Sequence, residues 1–161
     1  MRVTPRRLAC LAAWALSSCA PGNQLAGSLS ELASLEFNVV EVQLGTGQLV
    51  VLYRSESDAG DDVPFQLAVN IGATPLAKGA TFELGGNDPE GQPVAFASRA
   101  VAGDPRAFPA ILKGQLQLDS AVAVGQPAAG HFFLVFDYQG DGSLGQGRTV
   151  QGSFQATVSS S

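Results

Sequence analysis

His131 is the only histidine in the 161 residues, and Cys10 and Cys19 are the only cysteines. Catalysis built on imidazole needs that ring beside a serine or thiol that it can activate. The chain has no Gly-x-Ser-x-Gly turn, and His131 directly follows Pro127-Ala128-Ala129-Gly130 at the head of an apolar stretch. That setting reads as a polar residue entering a strand at the rim of a sheet. A single histidine, with no cysteine after residue 19, does not make a standard zinc site. Gly140-Asp141-Gly142-Ser143-Leu144-Gly145-Gln146-Gly147 is rich in glycine. A phosphate cradle, however, opens a helix, and the residues that follow here alternate as a strand, so a hairpin connection is expected.

Carboxylates are the other candidates. Asp58, Asp61 and Asp62 lie within five residues, and Asp137 and Asp141 flank a turn. These hard oxygen donors would suit calcium, but neither set has EF-hand spacing or a repeated Asp-x-Asp. Aspartates also favour turns for their own local hydrogen bonds. Glu36, Glu41, Glu83 and Asp137 could supply the two carboxylates of a glycosidase, yet no spacing pairs them. A sugar-stacking platform would need exposed Trp or Tyr. Trp14 is the sole tryptophan, and Tyr53 and Tyr138 fall in or beside apolar faces, so both are expected in the core. The expectation is a non-catalytic protein without a cofactor. A ligand-binding module, for calcium or carbohydrate, is the alternative.

The amino terminus carries an address. Arg2, Arg6 and Arg7 precede an unbroken apolar run from Leu8 to Leu16. Nine residues are too few to span a bilayer as a helix, which takes about 20, but they fit the apolar region of a secretory signal. The run ends in Leu16-Ser17-Ser18-Cys19. That tetrapeptide resembles the lipobox of bacterial lipoproteins: a branched apolar residue, two small residues and a cysteine. The resemblance implies cleavage between Ser18 and Cys19, a diacylglycerol on the Cys19 sulfur, and acylation, for instance by palmitate, of the new terminus. It is confined to the first twenty residues. Cys10 would leave with the leader, and an unmodified Cys19 would be an odd thiol in an oxidising compartment. Several acyl chains, at about 0.8 kcal/mol per buried methylene, hold a protein that one chain does not. Ala20 stands where aspartate would resemble the inner-membrane retention signal of enteric bacteria. Outer membrane is therefore expected, facing the periplasm or the cell surface.

All fourteen acidic residues but only six of the nine basic ones lie beyond residue 18, so the excised chain carries a net charge of −8. That excludes nucleic acid as a natural partner. The expected partners are the membrane, through the lipid, and an envelope protein or polysaccharide.

The remaining chain must position whatever contact it makes. Residues 1–18 are read as signal, 19–34 as lipidated cysteine and tether, and 35–161 as one folded domain. Within the tether, Ser28 to Leu35 could form a helical turn capped by Ser28 or Ser30. Phe65, Leu67, Val69 and Ile71 alternate with polar or small residues, as do Val150, Gly152, Phe154, Ala156 and Val158. Each is the pattern of a strand with one buried face. Leu112, Gly114, Leu116 and Leu118 share one parity, and the glycine implies a bulge or close approach of another backbone. Phe132 to Tyr138 is apolar on both parities through Phe133 and Val135, which predicts a strand covered on both sides.

Residues 36–54 read as a hairpin around Gly45-Thr46-Gly47, with a bulge near Val39-Val40. Thr81–Leu84 and Val94–Ala97 are shorter candidates, and turn clusters fill 55–62, 102–109, 125–130 and 139–147. About eight strands and no helical period predict an all-β fold. An antiparallel β-sandwich with Greek-key connections is the first choice and a small up-and-down β-barrel the second. Arg54 and Lys113 are expected to guard strand edges.

Overall fold

The computed structural model describes residues 22–57, 60–139 and 144–161. Among them the chain is all-β, with ten strands and one short 3-10 turn. The strands are β1 (Gln24–Ala26), β2 (Val39–Gly45), β3 (Gln48–Ser57), β4 (Gly60–Asn70) and β5 (Thr81–Glu83). They continue as β6 (Ala95–Val101), β7 (Asp104–Ala107), β8 (Ile111–Leu118), β9 (Pro127–Phe136) and β10 (Thr149–Ser160). The turn is Ser28–Glu31.

The hydrogen-bonded order is β5-β8-β9-β10-β2-β3-β4-β6-β7, with β1 also on β10. β10 carries the sheet from one layer into the other. Its residues Thr149 to Thr157 pair antiparallel with β9, whereas Val158 to Ser160 run parallel to Val42–Leu44 of β2. One layer is thus β5, β8, β9, β10 and β1, and the facing layer is β2, β3, β4, β6 and β7. The two terminal strands, β5 and β7, do not pair with each other. The sheet stays open, so the barrel alternative is set aside and the sandwich stands. Hairpin meanders (β2-β3-β4 and β8-β9-β10) take the place of the expected Greek keys, and one pair is parallel.

The layers meet through rings. Phe65 on β4 stacks on Phe132 of β9, with centroids 5.9 Å apart and planes 10° apart. Tyr53 of β3 meets the edge of Phe132 at 6.2 Å, and Phe108 stacks on Phe136 at 5.2 Å. Such pairs contribute about 0.5–1.5 kcal/mol each beyond the area they bury. The Tyr53 side chain is fully buried, and its hydroxyl donates to the Ser153 carbonyl across the layers at 2.9 Å. Burial pushes that hydroxyl well above the usual phenol range.

Room for the rings comes from glycine. Gly152 pairs with Phe132, and Gly130 with Phe154. A Cβ on Gly152 would lie 2.6 Å from the Phe132 ring, and one on Gly130 2.6 Å from the Phe154 ring. Gly114 admits the backbone of β9, where a Cβ would lie 2.5 Å from the Phe133 carbonyl oxygen. The close approach expected at Gly114 is present.

Several local expectations are corrected. The bulge is not at Val39-Val40, which pair regularly with Arg54 and Tyr53. It lies on β4, where both the β3 and the β6 registers shift around Pro64. A proline is tolerated there because a bulged position need not donate to the ladder. A second shift, between Ile111 and Lys113, turns Leu112 outward, where it is half exposed. β7 forms inside the expected 102–109 turn as a wholly exposed edge strand, blunted by Pro105 and the Asp104–Arg106 ion pair. Arg54 sits on an interior strand instead of an edge, while Lys113 stands beyond the three β8 residues that β5 pairs. The body also begins before residue 35. β1 joins the sheet at Gln24, and the helical turn is capped by Gly27 without a side-chain hydrogen bond.

Candidate functional site

β1, β10, β9 and β8 present an outer face whose rows follow from the register. Ala26, Gln151, Phe133 and Gln115 form one row, and Gln24, Ser153, His131 and Gln117 form the next. Alternation along each strand sends the glycines and rings inward and these residues outward. Phe133 is 49% exposed, so β9 is central in its layer but covered on one side only. Depressions of about 310 and 400 Å³ flank the Phe133–Gln151 row.

His131 lies in the middle of β9, not at its entrance. Its Nδ1 is 3.1 Å from Asp119 Oδ2, a partner twelve residues away that no spacing rule pairs with it. Ser153 is its cross-strand neighbour, which brings Asp, His and Ser side by side. They do not form a relay: Ser153 Oγ donates to the Gly22 carbonyl at 2.7 Å.

The carboxylates considered for calcium do not converge. Asp61 is held by Arg54 at 2.9 Å, whereas Asp62 accepts the Ala102 N–H at 2.7 Å. Asp137 accepts the Gln139 N–H at 3.2 Å. Asp58 and Asp141 lie outside the described residues. Among the described residues no three potential metal ligands cluster. Of the glycosidase candidates, Glu41 is bound by Arg54, Glu83 accepts from Gln115 at 3.0 Å, and Glu36 is exposed. Arg54 gathers Glu41, Glu56 and Asp61 around one guanidinium. The Glu41 hydrogen bond, then its charge, raises the Arg54 pKa above its ordinary value.

The tyrosines divide. Tyr53 is in the core as expected, but Tyr138 is 70% exposed with its ring laid over Gly147. A third concavity, of about 450 Å³, opens at the unclosed seam between β6 and β8. Phe96, Phe108, Pro109 and Ile111 line it together with the bulged Leu112. The bulge reverses the inward parity between Ile111 and Gly114, but Leu112 shares the parity of Gly114, Leu116 and Leu118 and so reads as one of the inward set.

Cys19, the expected lipid acceptor, and the expected cleavage position after Ser18 lie outside the described residues, as does the whole segment 1–18. Among the described residues no helix is long and apolar enough to cross a membrane. Comparison with protein-family models, with curated proteins and with solved structures found no match.

Proposed function

We propose that this is a lipid-anchored protein of a bacterial cell envelope whose sandwich works by contact and not by catalysis. The observation that carries the reading is the run of Arg2, Arg6, Arg7 and nine apolar residues that ends in Leu16-Ser17-Ser18-Cys19. A lipid on Cys19 accounts for a cysteine that would otherwise be an unpaired thiol outside the cytoplasm. The contact role rests on the scarcity of catalytic side chains. The sole imidazole is tied to Asp119, and its serine neighbour is committed to a backbone carbonyl. Outer membrane is the proposed address, since Ala20 follows the cysteine.

Metabolic labelling of producing cells with a palmitate analogue tests this. The wild type is expected to take the label and to sediment with outer-membrane fractions. Cys19→Ala is expected to remain unlabelled. An unlabelled wild type, or a labelled Cys19→Ala, contradicts the proposal.

A further inference from the structure

If Cys19 carries the lipid, the body has almost no leash. The fold holds the chain from Gly22 onward: the Gly22 carbonyl accepts from Ser153 Oγ at 2.7 Å, and Asn23 Oδ1 accepts from the Gln155 N–H at 2.6 Å. Only Ala20 and Pro21 intervene, so three Cα–Cα steps of about 3.8 Å limit the separation of Cys19 and Gly22 to about 11 Å. A compact body of this size has a radius of gyration of about 14 Å. The polar headgroup layer takes up most of the leash, at about 5–8 Å per leaflet. The body therefore rests on the bilayer, on a side adjoining Gly22.

That side is chemically distinct. Residues 20–30, 120–136 and 149–161 contain no Asp, Glu, Lys or Arg, although the excised chain has a net charge of −8. These segments supply all of β1, β9 and β10, three adjacent strands of one layer. Their outer face offers amides, hydroxyls, His131 and the half-exposed Phe133. Among the described residues, formal charges appear at its rim: Asp119 paired with His131, Lys113, Glu83 bonded to Gln115, and Glu31 paired with Arg148 beside the start of β10. The facing layer carries the Arg54 cluster instead. Anionic lipid repels carboxylates over about a Debye length. The orientation that sets the acid-free face down is therefore favoured.

We infer that the outer face of β1, β10 and β9 lies against the lipid headgroups, with Phe133 entering the interface. This rests on the lipid anchor proposed above. The excised chain has no tryptophan, so one substitution creates a unique reporter. Acylated protein purified from membranes would be placed on phosphatidylethanolamine–phosphatidylglycerol vesicles with brominated acyl chains. Phe133→Trp, and Gln151→Trp beside it, are expected to lose about half their emission, as suits a ring ~5–10 Å into the interface. Phe96→Trp, on the facing layer, is expected to be unchanged. Floating protein with an unquenched reporter in Phe133→Trp, or with the Phe96→Trp and Phe133→Trp reporters quenched alike, overturns the inference but leaves the anchor intact. Protein that lacks acyl groups by mass and fails to float overturns the anchor itself, and this inference with it. Shielding of the indole in Phe133→Trp from iodide by soluble neutral glycan, with no quenching on vesicles, makes the face a saccharide surface and overturns it equally.

Discussion

The two layers of the sandwich solve one packing problem in different ways. In the layer of β8, β9 and β10, each strand has a glycine at an inward position, and the space so released holds Phe132, Phe154 and the close backbone of β9. In the layer of β2, β3, β4, β6 and β7, the described glycines stand only at strand ends, and the interior is filled by Val42, Val51, Tyr53, Phe65 and Leu67. The outer faces diverge as well. The glycine-bearing layer is almost free of charge, while the facing layer binds three carboxylates to Arg54. One layer thus has glycine sockets for its own rings, the other is filled by full side chains, and most of the charge lies on the second.

Substitutions on either side probe this contrast. The largest loss is expected from Phe132→Ala, which removes the ring shared by both layers. Urea denaturation should show about 3–5 kcal/mol less stability, as for large aromatic truncations in cores. A loss near 1 kcal/mol, on the order of an average substitution, would mean that the layers do not depend on that ring. Gly152→Ala and Gly130→Ala should each cost about 1–3 kcal/mol by overfilling the sockets. Joining Phe132→Leu to Gly152→Ala should cost less than the sum of the two, because they share one space. In the facing layer the opposite change, Ala68→Gly, should cost about 1–2 kcal/mol, the backbone entropy of glycine plus one buried methyl.

Tyr53→Phe should cost about 1 kcal/mol for the lost hydrogen bond to Ser153. It also has a pH signature. The folded-state pKa of Tyr53 is raised by burial, so its contribution is complete below the ordinary phenol pKa of about 10 and declines as pH rises above it. Melting temperature should fall more steeply above that pH in the wild type than in Tyr53→Phe. Equal slopes would place the ionisation elsewhere. The smallest effect is expected on the outer faces. Arg54→Met should cost about 1 kcal/mol or less, and less in high salt as the remaining carboxylates are screened. Gln151→Ala should stay within about 0.5 kcal/mol and ignore salt.

Much of the fold is legible in the residue pattern because it follows from a period of two. β4, β9 and β10 announce themselves by alternation, and the β2–β3 hairpin by Gly45-Thr46-Gly47. Gly114 can be read as a close approach because a glycine on an apolar parity has few other reasons to be there. What escapes is what three or four residues cannot encode. β1 and β7 are too short to show a period, and every residue of β7 is exposed. The parallel step of β10 onto β2 joins residues more than a hundred positions apart. Of the candidate face, Phe133 is visible as an apolar residue on the wrong parity, which by itself suggests burial. Only the register places it among Gln151, Gln115 and Ala26. His131 stands out by its rarity, but its link to Asp119 depends on how the loop before β9 folds back.

The proposed anchor at Cys19 underlies the envelope reading and the membrane-facing orientation, and the mass of the protein's first peptide is its plainest test. Protein extracted from native envelopes should yield an amino-terminal peptide that begins at Cys19 and carries diacylglycerol, with or without a further acyl chain. A peptide beginning elsewhere, or a Cys19 with a bare thiol, would contradict it.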